Sequence, residues 1–124
     1  MNVDVCHATD HPDVDQRKIG QITLSGGPVL ASGPNTNPLV FDRLAEVATA
    51  EKIPYQVFAD AHPSDTDASV VQMANNGVAT GLIFVPLRYM HTPCEVVDLK
   101  VVEQAVRLLT AFTKSLKKDE TFAW

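Results

Sequence analysis

An α/β fold, a mainly parallel sheet with helices on both faces, is predicted by three observations. Stretches that alternate apolar and polar residues take turns with stretches of helical periodicity, the order expected of strands joined by crossover helices. The run Val78 to Val85 is almost unbroken apolar and rich in β-branched residues, which suits a strand buried on both faces of a parallel sheet. Capping residues stand ahead of the helical stretches, at Asn37-Pro38, at Thr66 or Asp67, and at Asp98.

Taken in order, Val3 and Val5 alternate with polar neighbours and predict a short strand at the very start. His7 to Arg17 is polar, carries Pro12, Asp10, Asp13 and Asp15, and reads as a loop. Ile22 and Leu24 predict a further short strand before Gly26-Gly27-Pro28, which is a turn signal. Asn37 as cap and Pro38 at the first helical position open a helix whose apolar face is Val40, Leu44, Val47 and Ala48, ending near Glu51. Tyr55 to Ala59 alternates again. A short helix follows through Val70, Val71 and Met73 and stops at Asn75-Asn76-Gly77, where glycine takes the left-handed position. After the apolar strand, Asp98 caps the longest helix, with a stripe of Val102, Ala105, Val106, Leu109, Phe112 and Leu116. Lys114, Lys117 and Lys118 lie at the end the macrodipole favours.

Composition excludes several classes. With 45% hydrophobic and 20% charged residues, the chain is too apolar for wholesale disorder. A formal net charge of -5 gives no basic footprint for nucleic acid or an anionic membrane. The apolar runs fall well short of the ~20 residues a membrane helix needs. Met1 is followed by Asn2-Val3-Asp4-Val5, with no basic region or signal-peptide core, and two cysteines make no disulfide framework. The expected location is therefore cytoplasmic. A strand that opens the chain without a lead-in leaves one sheet edge bare, and 124 residues cover both faces thinly. A piece of a larger domain is expected, rather than a small α/β domain that tolerates such an edge.

In open α/β sheets functional groups gather at the carboxyl ends of strands. Two segments offer metal-capable residues there. Asp4 stands between two valines on a strand expected to be buried, where an unpaired carboxylate is costly and a metal or basic partner relieves the cost. His91 follows the most hydrophobic strand and can offer a neutral imidazole nitrogen to zinc. Each also has an ordinary reading: a loop histidine is more often simply hydrogen-bonded, and a strand aspartate often pairs with arginine or a backbone amide. Gly26 and Gly27 read equally as substrate-facing backbone or as a plain turn. Asp67 is read as a helix cap in preference to a group supporting the site, and Arg88 as the partner of a carboxylate near the metals or part of a surface ion pair. His7, His11 and His62 have no partner spacing and receive no role.

Together, the stretches VDVCHATDHPDVD (Val3 to Asp15), GGPVLASGPNTNP (Gly26 to Pro38), TDA (Thr66 to Ala68) and GVATGLIFVPLRYMHTPCEVVDLKVVE (Gly77 to Glu103) resemble, in order, the glutamyl aminopeptidase family. Members of that family were often named endoglucanase or cellulase M. The resemblance implies the C-terminal part of a zinc-exopeptidase-like catalytic domain, roughly the last third of the family's protein. The upstream portion and the inserted domain that helps relatives form hollow homo-oligomers lie outside it. Asp4 matches the aspartate that binds one of the family's two divalent metal ions, zinc or alternatively cobalt, and His91 the histidine that binds the other. The family's remaining histidine ligand, bridging aspartate and adjacent glutamate pair, one of them the general base, have no counterpart in these residues. The implied chemistry is metal-assisted hydrolysis of the N-terminal residue from peptide substrates. With at most one protein ligand per zinc against the usual three, the chain is expected to be inactive alone.

Three other functions compete with that reading. A carbohydrate hydrolase needs two carboxylates flanked by aromatic platforms, yet Trp124 is the single tryptophan and aromatics make up 6% of the chain. A non-enzymatic subunit would complete a site with a separate N-terminal partner. A gene remnant would do nothing alone.

Overall fold

The computed structural model describes residues 1–12 and 14–122. Asp13 and Trp124, both singled out in the sequence, lie outside the described residues. The elements run β1 (Asn2–His7), α1 (Gln16–Ile19), β2 (Val29–Ser32), α2 (Pro38–Ala50), β3 (Gln56–Ala59), α3 (Asp67–Gln72), β4 (Leu82–Arg88), β5 (Val96–Val97) and α4 (Leu99–Ser115).

The four main strands lie in the order β1-β4-β2-β3, with β5 added to the end of β4. The α/β class is as expected. The sheet is mixed: β1/β4 and β2/β3 are parallel, whereas β2 and β5 run antiparallel to β4. The antiparallel junction pairs Val29 with Phe84 and Leu30 with Ile83. It joins strands far apart in sequence, so no hairpin signal announces it.

Strand β4 is buried on both faces and divides the core. Ile83 and Val85 face α2 and α4, with Leu30, Leu44, Val101 and Leu108 in the same cluster. Leu82 and Phe84 face the other side, against Val29, Ala31, Ile22 and Ala68 of α3. Helix α2 starts as read from sequence: the Asn37 side chain accepts the amides of Leu39 and Val40, Pro38 follows, and Val40, Leu44, Val47 and Ala48 are buried. Such a cap contributes about 1 kcal/mol.

Several expectations shift. Ile22 and Leu24 form no strand. Ile22 is a buried residue of an irregular segment, held to Thr9 by backbone and hydroxyl hydrogen bonds, and the strand comes after the glycine turn. Strand β4 begins at Leu82, since Val78 to Gly81 lead into it. Thr66, not Asp67, caps α3; Asp67 is its first helical residue and is exposed. Ala68 faces the core from that helix, while Val70 and Met73 lie open. The buried face of α4 is Val101, Ala105, Leu108 and Phe112, one position away from much of the expected stripe, and Val102 and Val106 are exposed. The loop before α1 also hides that helix, capped by the Asp15 side chain on the Arg17 amide.

Candidate functional site

The parallel register of β1 and β4 brings the carboxyl ends of both strands to one end of the sheet, with His7 beside Leu87. Because β2 runs the other way, the residues before Val29 lie at that same end. Thus the segments carrying Asp4, Gly26-Gly27 and His91 meet there.

Asp4 is mid-strand, opposite Phe84. Its strand is an edge, so the carboxylate is half-buried where a buried strand was expected, and its Oδ1 accepts the Val5 amide at 2.8 Å. Cys6 follows on the same face, against the Phe84 side of the core, and burial pushes its thiol up to about 12. That thiol stays protonated and inert at neutral pH.

His91 lies in the turn between β4 and β5 and is exposed. Its amide donates to Glu95 Oε1 at 2.6 Å, and the Thr92 hydroxyl donates to the Tyr89 carbonyl at 2.6 Å. Tyr89 and His91 both have φ of 61°, left-handed conformations that cost side-chain-bearing residues roughly 1–2 kcal/mol each. Backbone strain of this kind concentrates where a side chain must be aimed. Composition and periodicity carry no trace of it.

Gly26 and Gly27 each have a packing reason. A Cβ on Gly26 would stand 2.5 Å from Cδ of Gln56, and one on Gly27, at φ +97°, 2.2 Å from the Pro54 carbonyl oxygen. The Gln56 amide ties this turn together, accepting from the Thr23 amide at 2.8 Å and donating to the carbonyls of Thr23 and Gly27 at 2.9 and 3.1 Å.

Sequence reasoning missed Asp10, the central tie of this end. Its Oδ2 accepts the Leu24 amide at 2.9 Å, and its Oδ1 lies 3.1 Å from Nε of Arg88 and 3.0 Å from the terminal guanidinium nitrogen. That nitrogen also donates to the Asp10 carbonyl at 3.2 Å. One carboxylate therefore joins the loop after β1, the segment before the glycine turn and the last residue of β4. Burial pushes the Asp10 carboxyl up, but the Leu24 amide and the Arg88 guanidinium together outweigh it and hold the group below its ordinary range. Arg88 is thus paired with a carboxylate in a partly buried contact. The rings of His11 and Tyr89 pack beside this pair, 5.9 Å between centroids. Asp98 adds a second tie: bonds from the Ser25 hydroxyl and the Lys100 amide hold its carboxyl low while it caps α4.

Other sequence candidates fall elsewhere. His62 pairs with Asp60 at 3.1 Å after β3. A cleft of about 1250 Å³, lined by Gly33, Asn37, Phe41, Asp42 and Thr80 among others, opens at the opposite end of β4 from His91. Among the described residues, no three His, Cys, Asp or Glu side chains come together as a group able to hold a metal ion.

A sequence model of the M42 glutamyl aminopeptidase family matches residues 1–108. Lysyl aminopeptidase of Pyrococcus furiosus is 40% identical over 94 residues, which are 76% of this chain and 27% of that protein. Among solved structures, an aminopeptidase from the archaeon Desulfurococcus kamchatkensis superposes with a TM-score of 0.82 at 34% identity, covering 93% of this chain and 33% of its own. A TET aminopeptidase from a marine-sediment thaumarchaeote gives a TM-score of 0.85 at 25% identity, covering 94% of this chain and 33% of its own. This chain therefore spans about a third or less of the length of these relatives. Ordered motifs, fold and matched residues agree that the chain belongs to the M42 glutamyl aminopeptidase family.

Proposed function

We propose that this chain is the C-terminal part of the catalytic domain of a metal-dependent aminopeptidase, about the last third of the whole protein. In this reading Asp4 and His91 each supply one ligand to a different divalent ion, zinc or cobalt, and the chain by itself does not turn over peptides. The supporting observation is the juxtaposition at one sheet end of the segments bearing Asp4 and His91, in a chain that matches the family over residues 1–108. The absence of any three-group cluster among the described residues supports the second half of the proposal.

The roles of this chain's residues follow from their places. Asp4 presents a half-buried carboxylate from the edge strand, where little reorganisation is needed to meet a cation. His91 is aimed by a left-handed turn and by the Glu95 bond to its amide. Asp10 and Arg88 hold the two segments in register, and Gly26-Gly27 form the rim on the third side. The bound metals would supply Lewis acidity and an acidified water.

The test is turnover of an aminoacyl chromogenic substrate by the purified chain in zinc and in cobalt. No turnover is expected from the chain alone. Robust hydrolysis would overturn the proposal that it is incomplete, and hydrolysis of a cellulose analogue without peptide hydrolysis would overturn the peptidase reading.

A further inference from the structure

Apart from the metal chemistry, the chain carries side chains that can react with their own backbone. Asparagine is thermolabile because the backbone nitrogen of the next residue can attack its amide carbon and close a cyclic imide. The attack needs an N–H to lose, so proline in the next position blocks it. It also needs a backbone free to turn toward the side chain and no bulk beside the nitrogen. Glycine meets these conditions best and branched residues worst. Burial and a firm hydrogen-bond network stop the reaction, because the local backbone must open first.

The fold sorts the asparagines on these criteria. Asn37 precedes Pro38, which has no nitrogen proton. Asn2 stands on β1 before the branched Val3, and its side-chain nitrogen is buried. Asn35 is 8% exposed and locked, its side chain donating to Gln72 Oε1 at 2.8 Å and accepting from the Ser69 hydroxyl at 3.2 Å. The amide that would attack it, that of Thr36, is held by the Gly33 carbonyl at 3.1 Å. Asn75 is exposed but precedes another asparagine. Asn76 alone precedes a glycine, and residues 74–79 around it are all exposed. Gly77 has φ +95°, and the nearest atom to a Cβ built on it would be the Gln72 carbonyl oxygen at 4.0 Å, so the turn there is open. The Gly77 amide donates to the Ala74 carbonyl at 3.0 Å. That bond lies within the same exposed turn, where local opening costs little.

We infer that Asn76-Gly77 is a site of spontaneous, water-driven modification, at which the asparagine becomes aspartate or isoaspartate. The Gly77 nitrogen bonds to Cγ of Asn76 as the Cγ–Nδ2 bond breaks, and Nδ2 leaves as ammonia with the proton that the Gly77 nitrogen gives up. Water then opens the imide. Addition at Cγ returns an aspartyl main chain; addition at the backbone carbonyl carbon leaves the chain running through the side chain. Either way one amide and one water become one carboxylate and one ammonium ion, with no oxidant or cofactor. The new charge joins the wall of the cleft that Asn76 and Gly77 share with Asp42 and Glu120, at the end of β4 away from His91. The isoaspartyl product also adds a main-chain carbon between Ala74 and Val78. The spacing that lets the Gly77 and Val78 amides reach the Ala74 and Gln72 carbonyls is then lost, and the lead into β4 loosens.

The test ages the purified chain in neutral buffer at physiological temperature, beside a synthetic peptide of residues 74–80. Ion-exchange chromatography separates forms that are one charge more acidic than the parent at -5. Tandem mass spectrometry of a digest locates the change, and an isoaspartyl methyltransferase measures the isoaspartyl share. An acidic form converted at Asn76 is expected, at a rate within about tenfold of the peptide's, the penalty of a turn that opens easily. Asn76→Gln should abolish that form, because glutamine must close a larger ring. The side chain is exposed, so the circular dichroism of this variant should match the parent's. Hydrogen exchange reads the turn independently: the Gly77 amide should exchange far faster than that of Leu44 inside α2. Asn76 intact after the peptide is consumed, or conversion of Asn35 or Asn75 ahead of it, would overturn the inference. So would an acidic form that persists in Asn76→Gln, or a Gly77 amide as protected as that of Leu44.

Discussion

Replacing Asp10 tests whether a single carboxylate organises the candidate site. The side chains of Asp10 and Arg88 are 23% and 30% exposed, between the surface and buried regimes. Asp10→Asn keeps an oxygen for the Leu24 amide but removes the charge opposite Arg88; with partial solvent screening the expected cost is about 1 kcal/mol. Asp10→Ala also orphans the Leu24 amide, which adds roughly 1 kcal/mol and brings the loss to about 2 kcal/mol. Urea unfolding of both variants and of Arg88→Met, combined as a double-mutant cycle, should give a coupling of about 1 kcal/mol between positions 10 and 88. The pH dependence adds a sign. The Asp10 carboxyl is lowered in the folded chain, so its contribution is fully present above the unfolded value of about 3.9 and is lost as pH falls through the folded value. Asp10→Asn should therefore narrow its gap to the parent chain below about pH 4. Equal stability of all variants at neutral pH, or a gap that widens in acid, would refute the reasoning.

Three further outcomes are expected. Val101→Ala, at a fully packed position, should cost about 2 kcal/mol in urea unfolding, and Val102→Ala on the open flank less than about 0.5 kcal/mol; equal costs would contradict the observed face of α4. Gly20→Ala, at φ +94° with free space around it, should lose about 1 kcal/mol, whereas Gly27→Ala should lose considerably more or fail to fold, because a Cβ there meets the Pro54 backbone. Zinc and a chelator should leave the thermal midpoint of the isolated chain unchanged, as no three-ligand group exists among its described residues. A rise with zinc would reveal a site in the folded chain, since a ligand that prefers the folded state stabilises it by mass action.

What the sequence by itself determined is mostly local. Asn37-Pro38 and Asp98 begin α2 and α4 because side-chain oxygens satisfy orphan amides within one turn, a matter of adjacent residues. The face of α2 was readable from its period, and the unbroken run before Arg88 marks the central strand. Family membership too was legible, because ordered motifs do not depend on how the segments pack. Asp4 and His91 were visible as candidates for the same reason.

Only the tertiary structure decided which neighbours each segment acquires. The antiparallel seating of β2 on β4, the edge position of β1 and the one-residue rotation of α4 all depend on contacts between segments distant in the chain. Stripes with apolar residues on two flanks, like that of α4, leave the buried face undetermined until a sheet is present to choose it. Asp10 looked like one more loop aspartate; its meeting with Arg88, 78 positions later, is a product of the fold. Asp4 changed too, from a carboxylate expected on a buried strand to a half-buried one whose strand has a neighbour on one side alone. No local pattern tells an edge strand from a central one, because that difference lies entirely in what stands beside it.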